Sequence, residues 1–190
     1  MGEPVEVWSE AVERIAASVP AECAAAFRAL LVGTGRPLWR GQMRPGHVTA
    51  SAFVISPDGG SMLLIDHVAL GLWLQPGGHI EGDAGPVEAA AREAKEESGV
   101  ELIGGEVFDL DIHEIPARPK RGEDAHRHYD FRVAFRAASW KLVAADAGVR
   151  AARWVPWESL ATVDTDDSVR RSARRLLAMP SSAGLPHPRG

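Results

Sequence analysis

The sequence predicts an α/β or α+β sandwich, on three observations. Several short apolar or alternating runs recur as strands through the middle of the chain, one well-capped helix spans residues 86–98, and further helices flank both ends. The 190 residues suit one domain with a short helical extension.

From Val5 to about Gly33 the chain is alanine-rich and helical, broken at Pro20, with Ser18 or Pro20 opening a second helix. Thr34–Gly46, with Pro37, Pro45, Gly35, Gly41 and Gly46, reads as a linker. His47–Ser56 and Ser61–Asp66 read as strands joined by the turn Pro57-Asp58-Gly59-Gly60. Trp73-Leu74-Gln75 is a further short strand before Pro76-Gly77-Gly78. Strands are expected near 107–115 and 126–136, and again over Ala151–Val155. Pro156–Ala161 is a helical turn, and Thr165 or Asp166 caps a last helix to about Met179. Arg170, Arg171, Arg174 and Arg175 on that helix are expected to face solvent. The tail from Pro180, rich in proline, is expected to be mobile.

Composition narrows the function. Hydrophobic residues make up 45% and charged residues 25%, enough for an ordinary core. A formal charge of −5 argues against an electrostatic footprint for nucleic acid. Cys23 is the single cysteine, so no intrachain disulfide or cysteine zinc cluster can form, and it reads as a small buried hydrophobe. The sequence offers no membrane span and no basic secretory start, which makes a reducing cytoplasm the expected compartment.

The helix at 86–98 carries the chemistry. At 100° per residue, Val87, Ala90, Ala91, Ala94 and Ser98 share a stripe of small residues that can lie close to a sheet. Glu93, Glu96 and Glu97 share the flank beside it. Like-charge pairs at this spacing each cost an isolated helix about 0.2–0.5 kcal/mol. A divalent cation would convert that repulsion into a ligand set, and carboxylate oxygens suit Mg²⁺ or Mn²⁺. Arg92, one turn from both Glu88 and Glu96, can brace the acidic face. A solvated acidic face is the alternative. The Gly77-Gly78 segment ahead of the helix favours the site, because glycine lets backbone approach an ion or phosphate.

Gly78, Arg92, Glu93, Glu96, Glu97, Gly99 and Val100 stand at the spacing Gly-x5-Glu-x7-Arg-Glu-U-x-Glu-Glu-x-Gly-U, where U is a bulky aliphatic residue. This resembles the Nudix box, with seven of its nine specified positions matched. Ala84 stands where the family has a glutamate, with Asp83 and Glu81 nearby as substitutes, and Ala94 replaces the larger aliphatic. The resemblance implies a Nudix-type α/β/α sandwich with a mixed sheet over residues 46–178. Residues 1–45 are then a helical extension and linker, and residues 179–190 a mobile tail. It also implies metal-dependent hydrolysis of a phosphoanhydride bond in a nucleoside diphosphate linked to another group. Carried over by position, Glu93, Glu96 and Glu97 are metal ligands with a carbonyl of Gly77 or Gly78. Glu93 is the chosen general base, and Arg92 an orienting residue.

A second polar constellation lies beyond the helix. In 107–115, Phe108, Leu110 and Ile112 alternate with Asp109, Asp111 and His113; in 126–136, Tyr129, Phe131, Val133 and Phe135 alternate with His126, His128, Asp130 and Arg132. If the two strands form a hairpin, His113 lies near His128, and Asp111 near Asp130 or Arg132. Asp111, His113, His126, His128, Asp130 and Arg132, with His79 from the loop, are therefore the candidate substrate-binding residues. A solvated sheet face is the alternative. His47 and His67 read as structural. Arg118, Lys120 and Arg121 form a candidate phosphate clamp or, alternatively, solvated loop charges.

The expected partner is a small nucleotide or diphosphate, with no nucleic acid and no membrane, and a homodimer is left open. The competing reading is a non-catalytic nucleotide-sensing or protein-binding Nudix module. An isopentenyl diphosphate isomerase is disfavoured, because that family's pattern needs a core cysteine and Cys23 lies in the N-terminal helix.

Overall fold

A run of nine buried positions makes His47–Ile55, strand β1, the centre of the sheet. In the computed structural model, which describes residues 5–119, 122–143 and 148–179, β1 is joined by six further strands. These are β2 (Ser61–His67), β3 (Leu72–Leu74), β4 (Gly77–His79), β5 (Leu102–Ile115), β6 (His126–Ala137) and β7 (Val149–Pro156). The main path runs β3-β2-β1-β6-β5, with β4 added to β1 and β7 to β2. β1 and β6 are parallel, whereas the other pairings are antiparallel, so the sheet is mixed as expected.

Helices cover both faces. On one side lie α1 (Glu6–Ile15), α2 (Ala21–Val32) and α3 (Pro86–Ser98). Their side chains share a core with Val48, Ala50, Ala52 and Val54 of β1 and Phe131, Val133 and Phe135 of β6. The N-terminal helices contribute to this core directly: Trp8 and Phe27 meet the Phe131 ring edge-on at 5.4 and 5.0 Å. On the other side, α4 (Asp167–Ala178) buries Val169, Ala173 and Leu176 against Phe53, Met62 and Phe108. Asp166 caps α4, accepting the Val169 N–H at 2.8 Å. No helix among the described residues is long and apolar enough to cross a membrane.

Local sequence explains the placement of α3. Pro86 occupies its first turn, and Gly99, left-handed at φ 63°, ends it with its N–H bonded to Lys95 O. The buried positions are Pro86, Ala89, Ala90, Ala94, Glu97 and Ser98. Val87 and Ala91, expected in the stripe, are half-buried. The contact face is turned towards Glu97 because β4 covers that flank.

Three other expectations change. Gly77–His79 is a strand paired with Thr49–Ser51, where the sequence suggested only a glycine loop. The strict alternation in β5 breaks at a bulge between Val107 and Asp109. Phe108 consequently packs on Phe53 beneath α4, opposite the face that receives Leu110. Finally, the last helix's arginines are not all left to solvent: Arg170 and Arg175 are half-buried against protein, and Arg171, though exposed as expected, pairs with Asp111. Arg170, Arg171 and Arg175 donate to Val163 O, an Asp111 carboxylate oxygen and Phe108 O respectively, whereas Arg174 is exposed. The expected tail from Pro180 lies outside the described residues, as do Lys120 and Arg121 of the candidate clamp.

Candidate active site

The loop between β4 and α3 is fastened to the helix by one side chain. Arg92 donates to both oxygens of Asp83 at 2.9 and 3.0 Å and to His79 O at 2.9 Å. Its remaining terminal nitrogen donates to Glu93 and Glu96, each at 3.0 Å. Asp83 thus takes the bracing position left vacant by Ala84. Burial raises the Asp83 carboxyl, but the Arg92 hydrogen bond and the Glu81 N–H outweigh it, leaving the group below its ordinary range. The Arg92 guanidinium is held more firmly protonated than usual, chiefly by Asp83.

The three glutamates occupy different environments. Glu97 is buried and accepts the Gly77 N–H at 3.0 Å. Glu93 is partly buried, and its carboxyl is raised: burial dominates over the attraction of Arg92, and Glu96 and Glu81 add repulsion. Glu96 is exposed at the rim. The glycines matter through close approach. A Cβ on Gly78 would stand 2.5 Å from a Glu93 carboxylate oxygen, and one on Gly77 would meet Ser51 Oγ at 2.6 Å and Ala50 O at 2.9 Å. Gly78 thus lies against the acidic flank, and Gly77 against β1.

Beyond Gly77 and Gly78 opens a cavity of about 340 Å³, whose walls include His47, His79, His113, His126, His128 and Asp130. The expected hairpin register is present: His113 pairs with His128, and Asp111 with Asp130. Parallel pairing sets His47 opposite His128 and Thr49 opposite Asp130. Five imidazoles are thereby gathered, with ring centroids 4.8 to 5.3 Å apart across neighbouring pairs. Burial, then the neighbouring imidazoles, pushes His128 down to about 2 and His79 to about 4; burial also lowers His47. His113 moves the other way, because its bond to Asp111 and the nearby carboxylates outweigh burial.

The candidate substrate-binding residues therefore divide. His79, His113, His126, His128 and Asp130 line the cavity, whereas Asp111 and Arg132 enter a buried network beneath α4. Arg132 is 1% exposed and donates to Asp111 at 2.8 Å, to Ser168 O at 3.0 Å and to Ser168 Oγ at 2.7 Å. It also reaches Ser172 Oγ and, at 3.4 Å, Asp130, whose other oxygen accepts Thr49 Oγ1 and Ser51 Oγ. At 1% exposure, with its hydrogen bonds spent on Asp111 and on Ser168 of α4, Arg132 fastens α4 to the sheet. His47, which the sequence reads as structural, also lines the cavity; a lone histidine at a strand start gives no local sign of its partners. Arg118 pairs with Glu123 at 3.8 Å, within the loop itself.

Residues 45–177 match the family described as NUDIX domain. A curated relative, the "Probable DHNTP pyrophosphohydrolase" of Lactococcus lactis subsp. cremoris (strain MG1363), is 34% identical over 95 residues, covering 49% of this chain and 56% of that protein. The chain thus spans little more than half the length of that relative. Among solved structures, the NUDIX domain of Shewanella oneidensis NrtR complexed with ADP ribose aligns with a TM-score of 0.56 at 17% identity, over 78% of this chain and 95% of that one. The E. coli dihydroneopterin triphosphate pyrophosphohydrolase aligns at 0.50 and 18% identity, over 67% and 92%. At these identities the structural likeness concerns the fold.

Proposed function

The chain belongs to the NUDIX domain family, and from that premise we propose that it hydrolyses a phosphoanhydride bond in a nucleoside diphosphate linked to another group, with a divalent metal. The observation that carries the reading is the acidic flank of α3 held by Arg92 and Asp83 beside the Gly77-Gly78 backbone. The name of the lactococcal relative supports cleavage with pyrophosphate chemistry.

The donor set fits Mg²⁺ or Mn²⁺. Glu93, Glu96 and Glu97 offer oxygen alone, and Mg²⁺ typically takes one or two carboxylates while keeping water and substrate phosphates as its other ligands. The burial that raises the Glu93 carboxyl is also relieved by a nearby cation. These three acids, with a carbonyl of Gly77 or Gly78, are the proposed metal ligands. When bound, the ion neutralises diphosphate charge and makes a bound water more acidic.

The chain's own groups do the rest. Glu93, with its raised carboxyl, is the proposed acceptor of the water proton. Arg92 fixes Glu93 and Glu96 in orientation while tying down the loop. Glu97 anchors the Gly77 amide, which sets the backbone at the cavity mouth. The cavity, with His79, His113 and His128 on its walls, receives the group attached to the diphosphate.

The test is a substrate panel of nucleoside triphosphates, nucleotide sugars, ADP-ribose, dinucleoside polyphosphates and NADH, each with Mg²⁺ and Mn²⁺. Metal-dependent release of phosphate, pyrophosphate or a nucleoside monophosphate from at least one class is expected. Inactivity throughout, with ligand binding retained, would establish a nucleotide-sensing module instead.

A further inference from the structure

We infer that His47, His126 and His128 form a second metal site, distinct from the glutamate flank and selective for a borderline divalent transition ion such as Zn²⁺. One ring nitrogen from each lies within 4.8 Å of those of the other two. Among the described residues, this is the one set of three histidine, cysteine or carboxylate groups gathered so closely.

Three observations point to ligation. Two nitrogens bound to one tetrahedral Zn²⁺ at about 2.0–2.1 Å stand about 3.3 Å apart. His126 Nε2 and His128 Nε2 are separated by 3.3 Å. Next, both flanking histidines have their tautomer set from behind. His47 Nδ1 lies 3.1 Å from Gln42 O and His126 Nδ1 lies 2.8 Å from Asp124 O. A carbonyl only accepts, so Nδ1 carries the proton in each ring and Nε2 presents a lone pair. Metal-ligating histidines are commonly oriented through such backbone bonds. Last, His47 is 1% exposed, and its Nε2 has no hydrogen-bond partner. An orphaned buried acceptor is costly unless something fills it.

Chemistry selects the ion. Imidazole suits Zn²⁺, Ni²⁺ and Cu²⁺, whereas Mg²⁺ prefers oxygen and keeps its water. Three histidines leave a fourth position, and all three open onto the cavity that also exposes His79. An ion there would bind a water or an oxygen of whatever the cavity holds. Zinc sites with three protein ligands and one open position are of this kind.

Binding is read without substrate, so the outcome is independent of the proposed hydrolysis. The full-length chain, stripped with a chelator, is titrated with Co²⁺ and Zn²⁺ in excess Mg²⁺. One ion per chain is expected, with the visible Co²⁺ absorption of a four-coordinate nitrogen site. His126→Asn and His128→Asn should each weaken binding by more than the roughly 10- to 100-fold typical of losing an outer partner. A Glu93→Gln/Glu97→Gln double variant should bind as the parent does. Imidazole ¹⁵N spectra of the parent protein keep the test open should a variant fail to fold. Zn²⁺ should shift the Nε2 resonances of His47, His126 and His128 and leave Nδ1 of His47 and His126 protonated. Unchanged imidazole spectra, or loss of the ion in the glutamate variant with retention in the histidine variants, would overturn the site.

Discussion

Arg92 grips Asp83 with two nitrogens, Nε to Oδ1 at 2.9 Å and a terminal nitrogen to Oδ2 at 3.0 Å. The same guanidinium takes His79 O, so one residue of α3 locks both ends of the loop 79–83. Asp83→Asn keeps the shape and removes the charge. Hydrogen bonds to charged groups are worth about 1.5–3 kcal/mol, and this pair is only partly exposed. Thermal melting should show a loss at or below that range, accompanied by reduced turnover. An unchanged melting temperature would remove Asp83 from the bracing role.

Acid should expose the same pair. The folded Asp83 carboxyl lies below its ordinary value, so its contribution is complete above the unfolded pKa, about 3.9. That contribution fades as pH falls through the lower, folded value. In metal-free protein, the stability gap between the parent and Asp83→Asn should therefore be constant above about pH 5 and shrink towards pH 3. A gap that widens with acid would reverse the assignment.

Gly77 and Gly78 should respond differently to a methyl group. At Gly77 the new Cβ meets Ser51 Cα and Ala50 O, each at 2.9 Å, and backbone there cannot yield cheaply. Overpacking of this kind costs about 1–3 kcal/mol, so Gly77→Ala should melt early. At Gly78 the Cβ meets the end of the Glu93 side chain, which can swing away. Gly78→Ala should keep most of its stability and lose turnover. Equal effects on melting and turnover for the two variants would contradict this division.

Glu97→Gln retains an acceptor for the Gly77 amide while deleting the charge. Turnover on any accepted substrate should fall by more than the roughly 10- to 100-fold that loss of an outer partner causes. Circular dichroism and melting should stay close to the parent. Unaltered turnover would sink the metal assignment on α3.

How much of this was legible in the sequence follows from range. The α3 helix, its caps and its acidic flank depend on spacings within one segment, and so did the His113–His128 and Asp111–Asp130 pairs, because a hairpin fixes its own register. The replacement of the missing glutamate by Asp83 was visible as proximity, but the choice between Asp83 and Glu81 required the course of the loop. His47 was beyond reach. Its neighbours come from β6, some eighty residues away, through a parallel pairing that no local pattern announces. Arg132 and Asp111 looked like pocket residues because alternation assigns a face without saying what covers it. α4 covers that part of the face, and its serines and Arg171 turn the two residues inward.

The covering by α4 can be tested through Arg132, a buried cation shared by Asp111 and Asp130. Arg132→Met preserves much of the side-chain volume but leaves carboxylates that are 7% and 1% exposed without it. Breaking a buried pair by removing one partner costs about 3–5 kcal/mol, because the remaining charge is uncompensated. Asp111 keeps Arg171 and His113, and Asp130 keeps two hydroxyls, so the loss should sit towards the lower end. The triple variant Asp111→Leu/Asp130→Leu/Arg132→Met removes these three buried charges together and should recover part of that stability. Urea unfolding distinguishes the outcomes. A single variant as stable as the parent would mean that the network contributes nothing to holding α4 on the sheet.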